Sequence, residues 1–246
     1  MTATFALAMD TPTDDPLLGK MQIQRTLPVH ESCRRLRGIN PGYPRVYGVA
    51  VLADLPRRQW WPLSSTRTAN RMRVTYLKAS QDVGPRTAAR QLAADFIHEI
   101  LGRMLPLVLL EGRAWDVGLE NLWVHIDRDG MIDWAAITDP TLRVLPDDPA
   151  RSDGHDAVVV LPSESALTTW VAHRSHRSLA ALFDYVYELS GAEIQVGEMW
   201  QIVGPMVLDT TARVSQTAYD HEQVTRRSQA ILDALTGFGL PVRKNR

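Results

Sequence analysis

Seven histidines, His30, His98, His125, His155, His173, His176 and His221, are the side chains here best suited to metal or proton chemistry. Only His173 and His176 have a suggestive spacing, since positions three apart on a helix share a face and can hold one ion. They sit in His173-Arg174-Ser175-His176-Arg177, whose cations oppose a divalent metal, and a solvated basic helix face accounts for the segment better than a site does. His125 alternates with Trp123 and Asp127, with Leu122, Val124 and Ile126 on the other side of the same strand-like run. That polar side looks either into a cleft or into water. His98 lies between two apolar ridges of a long helical pattern, where a satisfied core or boundary histidine is the ordinary reading. Cys33, in Glu31-Ser32-Cys33-Arg34-Arg35, has cationic neighbours that favour a thiolate but no identified partner base.

The familiar phosphate and hydrolase signatures are missing. Gly48, Gly102, Gly112 and Gly118 are isolated, and neither a G-x-S-x-G elbow nor an H-E-x-x-H zinc motif occurs. A single cysteine excludes an intrachain disulfide, a cysteine-rich zinc site and an iron–sulfur cluster ligated by four cysteines of this chain. Charge is unevenly spread: residues 34–90 carry a net +10 and residues 91–156 a net −8, within an overall −1. A connected basic surface would suit an anionic ligand through the planar guanidinium fork. The alternative is that the two segments neutralise each other, and 24 arginines beside three lysines also show a compositional bias. Asp147, Asp148, Asp153 and Asp156 lie in a proline-containing loop and are expected to meet solvent. Nucleic acid is not the expected partner, because the whole chain is not basic and shows no zinc-finger, RNP-like or helix-turn-helix pattern.

The elements that must position these groups come from 246 residues that are 45% hydrophobic and 22% charged, ordinary values for a folded domain. The expected class is α+β, mainly helical with a small antiparallel sheet. Residues 1–20 read as a loose leader and 21–246 as one domain, which two lobes, 21–85 and 86–246, could compose. The longest apolar run, residues 104–110, is far short of the ~20 a membrane span needs, and no basic residue precedes the apolar patch near the amino terminus, so a cytoplasmic location is expected. Residues 38–48 form a turn-rich connector, and 46–52 are a strand or a buried helix start. Met72, Val74 and Tyr76 alternate with Arg71, Arg73 and Thr75, the period of a half-buried strand with a basic outer face. A long helix is predicted over 87–110, kinked or restarted by Pro106 and stopped by Gly112. Strands over 121–126 and 131–137 flank Asp127-Arg128-Asp129-Gly130 as a hairpin. A buried strand follows over 157–161. Helices are predicted from the Pro162–Ser165 start signal to Ser190 with Gly191 as C-cap, over 196–213 with a break near Gly204-Pro205, and over 220–235 ending at Gly237.

The succession of an Ala-rich helix over 88–110 ending Met-Leu-Pro-Leu-Val-Leu-Leu, then Glu111-Gly112-Arg113-Ala114-Trp115-Asp116, then Asn121-Leu122-Trp123-Val124-His125-Ile126-Asp127 and the hairpin return, resembles the FhuF-like ferric-siderophore reductase family. The core of that family is related to the carboxy-terminal region of aerobactin-type siderophore synthetases. Residues 167–189 followed by Glu198-Met199-Trp200-Gln201-Ile202-Val203-Gly204 look like the family's helix pair, and the likeness covers roughly residues 70–215. Well-known members end in a cysteine-rich tail that ligates a [2Fe–2S] cluster, whereas residues 226–246 here contain no cysteine, so no such cluster is expected. The resemblance implies a protein that binds a siderophore or a related polar metabolite and assists iron release or siderophore metabolism. Oxygen-rich ferric complexes suit arginine and indole surfaces, which makes Arg71, Arg73, Trp123, His125 and Trp200 the candidate pocket residues. Two alternatives stand beside this one: an enzyme of specialised metabolism holding a haem or single iron by histidine, and a non-catalytic partner of a biosynthetic enzyme.

Overall fold

The computed structural model describes residues 27–40, 46–56, 58–151 and 157–243. The expected leader, and His155 with Asp153 and Asp156, lie outside them. Helix α1 (Pro28–Ile39) begins with a proline at its first turn and buries Val29, Ser32, Cys33 and Leu36. Strand β1 (Ala50–Val51) leads through a 3₁₀ turn to β2 (Trp60–Pro62). Helix α2 (Thr66–Val83) is capped by Ser65, whose side chain accepts from the Thr68 N–H at 3.2 Å, and stops at Gly84 with φ 84°. The strand expected around Met72–Tyr76 is therefore a helix. Met72 and Tyr76, four apart, are both buried while Val74 is 68% exposed, the burial pattern of period 3.6 and not of period 2.

The long helix expected over 87–110 is three pieces. Helix α3 (Pro85–Ile97) passes into a π-helical turn, His98–Gly102, and α4 (Leu105–Glu111) restarts with Pro106 in its first turn. Gly112 closes α4 with φ 64°, where a Cβ would lie 2.8 Å from Leu145 Cδ1. The π turn carries a buried ion pair: Arg103 donates to Glu99 at 2.6 and 2.9 Å and also to the Asp133 carbonyl at 3.2 Å, while its own carbonyl accepts from the Gly48 N–H.

Strands β3 (Leu122–Ile126) and β4 (Ile132–Ile137) form the expected hairpin, with Asp127 Oδ1 accepting from the Asp129 and Met131 N–H groups at the turn. Asn121 holds its base, accepting from the Thr138 and Asp139 N–H groups and donating to the Asp116 carbonyl. The sheet order is β1-β4-β3-β2. It is mixed, because β1 pairs with β4 in parallel, which corrects the expected antiparallel sheet. The helices α2 to α4 separate these two strands along the chain, and a crossover of that length permits parallel pairing where a tight turn does not. A second sheet pairs β5 (Leu142–Val144) with β6 (Val158–Val160), again in parallel. The expected strand at 157–161 is present but not buried: Val159 and Val160 are 45% and 40% exposed on a sheet of only two strands.

Helices α5 (Glu164–Leu189), α6 (Val196–Ser215) and α7 (His221–Gly237) complete the fold. Ser163 and Asp220 cap α5 and α7, and Gly191 follows α5 in the left-handed region. Helix α6 runs through Gly204 and Pro205 without the expected break. Gly204 lies so close to the carboxy-terminal segment that a Cβ there would sit 1.9 Å from the Val242 carbonyl oxygen. The inner face of the sheet (Val51, Leu122, Val124, Ile126, Ala135, Ile137) joins the main helical core. The outer face buries a separate small cluster of Ala50, Leu52, Leu55, Trp60, Trp134 and Ala136, with Trp123 packed at its margin. No described helix is long and apolar enough to cross a membrane.

Candidate functional site

The outer face of the sheet concentrates the polar chemistry. Pairing registers place Trp60 of β2 opposite His125 of β3, and His125 opposite Trp134 of β4, so the imidazole lies in a row between two indoles. Trp60 meets the His125 ring at 5.5 Å with the planes tilted by 58°. Trp123, two residues before His125 and on the same side, stands opposite Pro62 and Ala136.

A β-bulge then supplies the carboxylate. His125 pairs with Trp134 and Ile126 with Ile132, so Asp133 has no partner across the ladder and its side chain is released from the strict alternation of the strand. Asp133 Oδ1 accepts from His125 Nδ1 at 2.6 Å. The Asp133 carbonyl is fixed from behind by Arg103. Holding Nδ1 in this way assigns ligand contact to Nε2. There Gln59, whose φ of 67° is left-handed for a residue with a side chain, places its Oε1 3.1 Å away. In that orientation the ring donates from both nitrogens. With the amide turned over, Gln59 donates and Nε2 accepts as the neutral ring. The imidazole and carboxylate are 12% and 21% exposed, enough to be reached from solvent once Gln59 moves.

Both flanking indoles are orphan donors. Trp60 Nε1 and Trp134 Nε1 are buried and make no hydrogen bond among the described residues. Buried polar groups are nearly always paired, and each exception costs about 1–3 kcal/mol, so two of them beside one imidazole mark this face.

The structure brings Trp123 and His125 together and separates the other three candidates. Arg71 is on α2, where its guanidinium lies 4.0 Å over the ring of Trp61, and Trp61 pairs with Val124 and packs against the main core on the opposite side of the sheet. Arg73, exposed on α2, faces the space between α2 and α5. Trp200 is 4% exposed and packs against Phe183 at 4.9 Å and His176 at 5.6 Å, a core role. The sequence alone marks one of the adjacent Trp60 and Trp61 as a candidate ligand platform without choosing between them, and it does not mark Asp133, Gln59 or Trp134. The adjacent tryptophans at 60 and 61 are the one local signal that this strand serves two different faces.

Elsewhere in the fold the candidate side chains have structural partners. His173 and His176 pack against Phe238, and among the described residues no three His, Cys, Asp or Glu side chains gather as a metal-ligating group. Burial, then the neighbouring His173, holds His176 below the usual histidine range. Asp148, expected in solvent, is buried and receives two hydrogen bonds from Arg113 at 2.7 and 2.8 Å. Of the basic stretch, Arg35 forms an ion pair with the acidic one, on Glu111. The acidic stretch is also met by its own Arg103 and Arg113 and by Arg174 of α5. The [2Fe–2S] cluster of the FhuF-like family does not fit these residues: Cys33, the chain's one cysteine, is buried with its Sγ–H donating to the Val49 carbonyl at 3.0 Å. One titratable group that sequence reading misses is Asp95, whose carboxyl is pushed up to about 6 by burial and then by the charge of Glu99 one turn on.

No protein-family model matches the chain, and neither a curated protein nor a solved structure matches it.

Proposed function

We propose that this chain binds a ferric siderophore or a related oxygen-rich metabolite on an FhuF-like scaffold that lacks the iron–sulfur cluster, and that the outer face of the sheet takes the ligand. The observation that carries the reading is His125, tied through Nδ1 to Asp133 and set between the indoles of Trp60 and Trp134. A hydroxamate or carboxylate oxygen accepts from Nε2–H, and a planar ligand arm lies against the half-buried Trp123. The test is titration with the ferric complex of a trihydroxamate, followed by tryptophan quenching and thermal shift, beside His125→Ala and Trp123→Ala. Saturable quenching that both variants weaken supports the reading. The absence of both quenching and a thermal shift overturns it.

A second reading, an enzyme of specialised metabolism on the same scaffold, is favoured by the same Asp133–His125 contact, because a carboxylate behind Nδ1 is the usual support for an imidazole that moves a proton or ligates a metal through Nε2. With no three ligating side chains gathered among the described residues, a single iron there would draw its remaining ligands from the bound metabolite. The ultraviolet–visible spectrum of freshly purified protein separates the readings: a Soret or iron charge-transfer band belongs to the enzyme, a bare 280 nm band to the binder.

A further inference from the structure

Two cavities beside α2 and α5 share Ala69 and Tyr185 in their walls. The inner chamber, about 290 Å³, is lined by Met72, Phe96, Leu119 and Leu182, with the hydroxyl side chains of residues 64–66 and 68 along one part of its wall. The outer one, about 370 Å³, is lined by Asn70, Arg73, Leu77 and Glu188. The Tyr185 hydroxyl donates to the Ala69 carbonyl at 2.6 Å. Arg73 is close enough to act on the Tyr185 phenol, which burial raises and the guanidinium lowers. Neither the Arg73 nor the Glu188 side chain makes a hydrogen bond or ion pair among the described residues.

We propose that these two cavities form a second ligand site, specific for a zwitterion with an apolar side chain, of which a free hydrophobic α-amino acid is the simplest. An apolar cavity with a few convergent polar groups is the common form of a small-molecule site. The outer chamber carries one cation and one anion, so a simple fatty acid would leave Glu188 facing its carboxylate, and a simple amine would face Arg73. A head bearing both charges satisfies both walls: its carboxylate takes Arg73 and its ammonium takes Glu188. A ligand that spans both cavities takes the place of the Tyr185 hydrogen bond to Ala69. The exchange is balanced, since the phenol then donates to the ligand carboxylate and the Ala69 carbonyl accepts from the ammonium. The site is independent of the sheet face that carries His125.

The test is calorimetric titration of the full chain with L-phenylalanine, phenylalaninamide and N-acetylphenylalanine. Saturable binding of L-phenylalanine is expected, weakened at least tenfold by removing either charge from the ligand and at least tenfold by Arg73→Glu, an exposed substitution that leaves the core untouched. Leu182→Trp, which fills the inner chamber, should abolish it. His125→Ala should leave it unchanged, which separates this site from the one on the sheet. Absence of saturable L-phenylalanine binding, equal binding of either singly charged analogue, indifference to Arg73→Glu, or loss in His125→Ala would each overturn the proposal.

Discussion

Asp133 reaches His125 because the strand that carries it holds one residue more than its partner. Eight positions apart and separated by a turn, the two side chains meet at 2.6 Å only through the bulge opposite Ile126. A regular ladder would keep Trp134 opposite His125 but pair Asp133 with Ile126, on the face away from the imidazole.

That contact makes Asp133→Ala a positioning variant. It should weaken binding of the ferric trihydroxamate about tenfold, as loss of a carboxylate behind a histidine commonly does. The thermal midpoint should move little, since the carboxylate is partly exposed. Quenching titrations of the wild type, Asp133→Ala and Asp133→Asn measure it, and the asparagine variant, which still accepts at Nδ1, should recover part of the affinity.

The bulge depends in turn on the buried pair on the π turn. Glu99 and Arg103 are 4% and 1% exposed, and removing one partner leaves an uncompensated charge in the core. Glu99→Ala should therefore cost about 3–5 kcal/mol in urea unfolding. Replacing both, as Glu99→Leu with Arg103→Met, should cost much less than either single change.

Asp95 gives stability a pH dependence. Its carboxyl, normally near 3.8, titrates near 6 in the folded protein, so folding favours the protonated form. Below pH 4 the group is neutral in both states and costs nothing. Between about pH 4 and 6 the unfolded chain loses its proton first and stability falls, reaching a deficit of about 2–3 kcal/mol above the folded value. Asp95→Asn should raise the unfolding midpoint at pH 7.5 and leave it nearly unchanged at pH 4.

Gly204 tests the seating of the carboxy-terminal segment on α6. In an open helix interior, glycine to alanine stabilises by about 0.5–1 kcal/mol. Here the new methyl would overlap the Val242 carbonyl, a backbone atom that cannot rotate away, so Gly204→Ala should destabilise the chain by about 1–3 kcal/mol. In a chain ended at Leu240 the same substitution should become neutral or stabilising, as thermal unfolding of the four proteins would show.

Local chemistry determined much of this fold before any tertiary contact. Ser163, Asp220, Gly112 and Gly191 mark helix ends because caps and left-handed stops act within one turn, and Asp127 to Gly130 marks the hairpin because a turn is set by its own residues. The Met72–Tyr76 segment went the other way because five residues are too few to separate a period of 2 from a pair spaced at i and i+4, and only burial against the core selected the helix. Trp123 and His125 were legible as a shared side of one strand. Their partners were not. The parallel pairing of Ala50 with Ala136, the bulge at Asp133 and the placing of Trp60 and Trp134 on either side of His125 are properties of register between strands distant in the chain. Register is decided by which faces the assembled core buries, and that is a choice no single segment can make.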